Sequence, residues 1–67
     1  FSVNDLVGMT ARATINSDAG KTGEVMVEVG RMVKYPVREV NNQPLARGDE
    51  VRILAVDGRY LEVEKQS

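Results

Sequence analysis

The 67-residue chain has no cysteine, histidine or tryptophan, and its aromatic side chains are one phenylalanine and two tyrosines. Without thiol or imidazole there is no disulfide framework, no cysteine nucleophile, no histidine acid–base and no usual zinc ligand set. The missing cysteine is silent on compartment, because a thiol-free chain is compatible with any redox environment. An excess of one charge is lacking too: nine basic against ten acidic residues leave a net charge of −1. Nucleic-acid binders carry a clearly basic face, and this balance supplies none. No apolar run approaches the roughly 18–20 residues of a membrane-spanning helix, and no signal-peptide pattern is present. So short a chain makes one domain with a small core and no buried substrate cavity beside it. It begins at Phe1 rather than Met, so a piece of a longer protein is expected, with any membrane anchor or partner domain lying outside it.

What is present is alternation. Met9, Ala11, Ala13 and Ile15 alternate with Thr10, Arg12 and Thr14. Val25, Val27 and Val29 alternate with Glu24, Met26 and Glu28, and Val33, Tyr35 and Val37 with Lys34 and Arg38. Val51, Ile53 and Ala55 oppose Glu50 and Arg52, less cleanly Leu54 and Val56, while Leu61 and Val63 oppose Tyr60, Glu62 and Glu64. Period two sets one group on the core face of a strand and the other in solvent. Five strands are predicted. Turn chemistry separates them: Asn16-Ser17-Asp18-Ala19-Gly20, a tight hairpin at Gly30-Arg31, and Asp57-Gly58 before the last strand. Pro36 removes a ladder donor, so strand three should be at an edge or bulged there. The stretch Asn41–Gly48 breaks the alternation and reads as a loop or one helical turn ending at Gly48.

Five short strands with the longest break after the third predict an all-β fold, a small five-stranded Greek-key barrel of the OB-fold kind. An SH3-like barrel has the same strand count. Residues 8–65 form the single barrel domain in this reading. Residues 1–7 are a flexible lead-in, with Leu6 and Val7 placed to cover one end of the core.

Candidate chemistry is sparse. Gly20-Lys21-Thr22 matches the end of a phosphate-binding loop, but Ile15 stands where the pattern needs its first glycine, and a strand follows instead of a helix. Glu62 and Glu64 share a strand face beside Lys65, which is a solvated arrangement and not two carboxyls in contrasting environments. A Ser17–Lys21 pair is the sole serine arrangement with a nearby base. Arg31, Lys34, Tyr35 and Arg38 form a locally basic segment, diluted by Glu24, Glu28, Glu39, Glu62 and Glu64. Single-strand binding needs successive aromatic platforms over a basic groove, and Tyr35 and Tyr60 are too few. Met26, Met32, Leu54 and Val56 lie off the core-facing sets. Either a neighbour covers them or they form a patch for a protein partner.

The run of Leu6-Val7-Gly8-Met9-Thr10-Ala11, Gly20–Val25, Leu45-Ala46-Arg47-Gly48-Asp49-Glu50-Val51-Arg52-Ile53 and Val56–Val63 resembles the soluble C-terminal domain of NfeD-like proteins. The likeness spans Leu6 to Glu64, is carried by turn glycines and strand valines, and is thinnest over Met32–Val40. It implies an OB-fold barrel at the end of a membrane protein that works with stomatin- or flotillin-type membrane scaffold proteins. Some members of that family also carry a ClpP-like serine protease domain. It brings no catalytic motif, no cofactor and no metal. The Leu45–Val51 run is also similar to a turn of biotinyl and lipoyl carrier domains, but Gly20 and Thr22 do not match the flanks of their modified lysine at Lys21.

The expectation is therefore a non-enzymatic, monomeric protein-interaction domain. Surface chemistry nominates Met26, Met32, Tyr35, Arg38 and Arg59 as contact residues. The full-length protein is expected at a membrane, with this soluble domain facing the cytoplasm. The alternative is a single-stranded nucleic-acid-binding OB module.

Overall fold

A computed structural model describes residues 3–28 and 30–66. Strands β1 (Thr10–Ala13), β2 (Gly23–Glu28), β3 (Met32–Glu39), β4 (Glu50–Asp57) and β5 (Tyr60–Lys65) follow a short 3-10 helix at Val3–Leu6. They close into a barrel in the order β1-β2-β3-β5-β4, with β4 returning to β1. All pairings are antiparallel except β3 with β5, which is parallel from Val37↔Leu61 to Glu39↔Val63. This is the five-stranded Greek-key barrel of the OB-fold.

The core is the inward parity of the strands: Ala11, Ala13, Val25, Val27, Val37, Val51, Ile53, Leu61 and Val63 are all buried. Leu6, from the short helix, is fully buried in the core cluster, while Val7 is 48% exposed. The predicted lead-in thus contributes a core residue. Leu45, in the long β3–β4 connection, is buried too, held by a bridge in which Ser17 and Leu45 exchange both backbone hydrogen bonds at 2.8 and 2.9 Å. That connection contains no helical turn among its residues.

Two inward assignments are corrected. Ile15 is 45% exposed, because β1 ends at Ala13 and the chain turns away. Ala55 does not continue the inward set of β4. The β4–β5 register jumps from Ile53↔Val63 to Ala55↔Glu62, so Leu54 is an extra, bulged residue. Past it the phase inverts, and Val56, opposite Leu61, packs against the core. Val29, expected inward on strand two, lies outside the described residues. Pro36 occupies the place where β3 gains its second neighbour, since the parallel ladder to β5 begins only at Val37. Its missing N–H removes no rung there, so the edge expectation holds locally.

The β1–β4 ladder is bounded at both ends by the same device. Met9 N–H bonds the Leu6 carbonyl at 3.0 Å, closing a turn whose third residue, Gly8, has φ +92°. Gly8 N–H then bonds Ile53 C=O at 2.7 Å and Ile53 N–H bonds Met9 C=O at 2.9 Å. At the other end Asp49 N–H bonds Ala46 C=O at 2.9 Å around Gly48, at φ +94°. Gly48 N–H bonds Ala13 C=O at 2.8 Å and Ala13 N–H bonds Asp49 C=O at 2.9 Å. Each is a type II turn running into a glycine bulge. The two are related by a local dyad near Ala11↔Val51.

Candidate interaction surface

Outward parity brings residues from four strands into one belt. Register places Glu50 beside Arg12, Arg12 beside Met26, and Met26 beside Lys34. Between β1 and β2 the belt opens into a groove of about 420 Å³ lined by Thr10, Arg12, Met26, Glu28, Met32 and Glu50, among others. Met32 is 58% exposed at the start of β3, the largest exposure among the large hydrophobic residues described. Met26 is half-buried in the middle of β2. Flexible thioether side chains at such a site adapt to irregular apolar contacts.

Of the five nominated residues, Met26 and Met32 meet in this groove and the others lie elsewhere. Tyr35 pairs with Val25 and packs half-buried against the core. Arg38 is exposed and stands over the Tyr60 ring, 5.1 Å from its centre. Arg59 is exposed in the two-residue turn between β4 and β5, where Gly58 takes φ +56°. The wider apolar set also splits: Val56 packs inward, whereas Leu54 stays exposed at the bulge. Thr10, Arg12, Glu28 and Glu50 were not nominated. Their signal was present, since all four fall on the outward parity of their strands, but nothing in a list of strands says which outward faces become neighbours.

A second groove, of about 320 Å³, lies between the β1–β2 and β3–β4 loops, lined by Asn16, Ser17, Asp18, Pro44, Leu45, Ala46 and Lys65. Its polar groups hold the loops together. Besides the Ser17–Leu45 bridge, Asn16 Oδ1 accepts Arg47 N–H at 2.8 Å, and Asp49 Oδ2 accepts Ala46 N–H at 2.9 Å and lies 3.4 Å from Lys65 Nζ. The Ala46 amide, helped by Lys65, holds the Asp49 carboxyl below its ordinary value of 3.8.

Glu39 is the buried charged residue, 4% exposed. Its Oε1 accepts N–H groups from Asn41 at 2.6 Å and Gln43 at 3.0 Å, and its Oε2 accepts Lys65 N–H at 2.9 Å. Burial pushes its pKa up. The three amides and the Lys65 charge outweigh that, so the net shift is below the ordinary 4.5. Tyr60 is shifted up, first by its hydrogen bond to Asp57, with Arg38 pulling the other way. Among the described residues no group of three or more carboxylates converges to hold a metal ion, and no helix is long and apolar enough to cross a membrane. The phosphate-loop fragment is built as expected from its misfit: Gly23 begins a strand, and a Cβ there would lie 2.9 Å from Ser17 Oγ. The outer face of β2 and β3 carries Glu24 and Glu28 against Lys34 and Arg38, with Tyr35 turned inward. That is no stacking platform for a nucleic-acid strand.

Residues 3–65 match the family model described as the NfeD-like C-terminal, partner-binding domain. The fold is similar to the solution structure of the soluble domain of the NfeD protein YuaF from Bacillus subtilis. The TM-score is 0.82 at 22% identity, over 94% of this chain and 76% of that one. A search of curated proteins finds no match.

Proposed function

The chain belongs to the family of NfeD-like C-terminal, partner-binding domains, and from that premise we propose that it is a non-catalytic module that docks a stomatin- or flotillin-type membrane scaffold protein. The contact face in this reading is the groove of Met26 and Met32, with Tyr35, Arg38 and Arg59 outside its centre. The observation that carries it is Met32, more than half exposed beside Met26 in an open groove with a polar rim. Exposed apolar area of this kind, rimmed by charge, marks protein contact sites.

The two clasped carboxylates, Glu39 and Asp49, support the non-catalytic half of the reading. Glu39 and Asp49 are shifted down by backbone amides that hold loops in place. A general acid working near neutral pH needs the opposite shift. The full-length protein, in this proposal, is held at a membrane by segments outside this sequence and presents the barrel to the cytoplasm as a monomeric unit.

The test is capture of a stomatin-family protein by the immobilised chain. The intact chain should retain it, and Met32→Asp should abolish retention. An intact chain that retains none overturns the proposal.

A further inference from the structure

The β1–β2 ladder stops before its strands do. Arg12↔Met26 is the last registered pair on that side, yet β1 starts at Thr10 and β2 runs on to Glu28. Continued register would set Thr10 opposite Glu28. The ladder's alternation says which way their peptide groups point. Met9 C=O accepts Ile53 N–H on β4 and Ala13 bonds Asp49 and Gly48 just before β4, whereas Thr14 N–H bonds Glu24 C=O on β2 at 2.9 Å. Even-numbered residues of β1 therefore direct N–H and C=O toward β2. Thr10 and Glu28 face one another across an opening where a rung would otherwise be. That opening is the groove, with Met26 and Met32 beside it.

The charges at its rim are unequally committed. Arg12 donates to Gly48 C=O at 3.0 Å and sits in register with Glu50. Glu28 lies opposite Met32 and has no ion-pair partner among the described residues. The groove thus offers two strand edges, an apolar seat and a rim with one cation, Arg12, against two carboxylates, Glu28 and Glu50, neither in an ion pair among the described residues. Such a rim repels a phosphate backbone or an anionic headgroup and favours a basic peptide.

We propose that the partner docks here as an extended segment that enters between β1 and β2. It pairs its backbone with Thr10 and Glu28, seats an aliphatic side chain on Met26 and Met32, and brings a lysine or arginine to Glu28. This is strand addition of the kind many peptide-binding domains use. It rests on the partner-binding reading above and gives it a mode.

The test uses three end-blocked peptides titrated into the isotope-labelled chain at low salt, with Lys and Val two apart so that both face the groove: Thr-Lys-Thr-Val-Thr-Lys, its counterpart with Glu for both Lys, and the first peptide N-methylated at its valine and at the threonine after it. The basic peptide should shift the amide signals of Thr10 and Glu28 and the Met32 methyl in a saturating way. The acidic peptide should bind at least about tenfold more weakly, and Glu28→Lys should reverse that preference. N-methylation removes donors that strand addition requires and should abolish binding. Absence of shifts at millimolar basic peptide overturns the proposal, as do shifts centred on Arg38 and Tyr60, or unchanged binding of the N-methylated form. Scaffold-protein capture that survives Glu28→Lys, a substitution at an exposed position, overturns this mode while leaving the function standing. Capture that fails with the intact chain overturns the function, while the titration still reads the groove.

Discussion

Glu39, near the end of β3, accepts the backbone N–H of Lys65 at 2.9 Å through one carboxylate oxygen while the other oxygen holds Asn41 and Gln43. One side chain therefore fastens the sole parallel seam among the described strands, β3 to β5, to the start of the long β3–β4 connection. A buried charge is costly unless its partners satisfy it, and here three amides do.

Removing that carboxylate should be among the most damaging single changes in the chain. Glu39→Ala strands three backbone donors, each at a cost of about 1–3 kcal/mol where water cannot reach them. A domain of this size has only about 3–10 kcal/mol in hand. Glu39→Gln keeps one acceptor oxygen and should lose less. Urea unfolding followed by circular dichroism would order the three proteins as wild type, Gln, then Ala. An Ala variant with an unchanged midpoint would remove the clasp from the account of stability.

The same group sets an acid dependence with a definite sign. Its folded pKa lies below the ordinary 4.5, so near that value the unfolded chain binds more protons than the folded one. The contribution of Glu39 is complete above about 4.5 and is lost as pH falls through the folded pKa. Asp49, also shifted down, acts in the same direction. The midpoint difference between wild type and Glu39→Gln, measured from pH 7 to pH 3, should shrink toward acid. A constant difference would show that the charge of Glu39 carries none of it.

Strand parity made the barrel readable because period two is a geometric property of each strand alone. The sets Ala11/Ala13, Val25/Val27, Val51/Ile53 and Leu61/Val63, each legible from its own strand's alternation, form the core. Ala55 and Val56 exchanged faces because the bulge at Leu54 depends on how β4 and β5 pair, which neither strand encodes separately. Glu39 falls on the same inward parity as Val33, Tyr35 and Val37, so its burial had a signal, but a carboxylate on that parity reads as an error until its three donors are known. The groove was the least legible feature. Met26 and Met32 stand out by residue type, while the place of Thr10 and Glu28 depends on where β1 and β2 part, which neither strand encodes separately.

The paired glycine bulges predict a backbone effect separable from packing. At Gly8 and Gly48 a Cβ would meet nothing within 4 Å, yet φ is +92° and +94°. Alanine there should cost about 1–2 kcal/mol through the left-handed conformation alone. D-alanine, introduced by chemical synthesis, suits that conformation and should match or exceed wild-type stability. Gly23→Ala differs in kind, since its Cβ would approach Ser17 Oγ to 2.9 Å, and Ser17→Gly should relieve it. Equal losses from L- and D-alanine at Gly48 would contradict the conformational explanation.

The nominated contact residues can be separated by pairing stability with capture. Met32 is 58% exposed, so Met32→Asp should stay within about 0.5 kcal/mol of wild type while losing the scaffold protein. Tyr35 packs half-buried on the core, and Tyr35→Ala should cost about 2 kcal/mol, below the range for fully buried aromatics. Loss of capture in that variant would not by itself identify a contact. Tyr35→Phe keeps the packing and should keep capture. Arg38→Ala gives up its place over the Tyr60 ring, worth about 0.5–1 kcal/mol at an exposed site, and should also leave capture intact. Thermal melts and retention on immobilised chain, run together on these variants, decide the matter. If Arg38→Ala or Tyr35→Phe releases the partner while Met32→Asp holds it, the contact face lies on the β3–β5 side of the barrel.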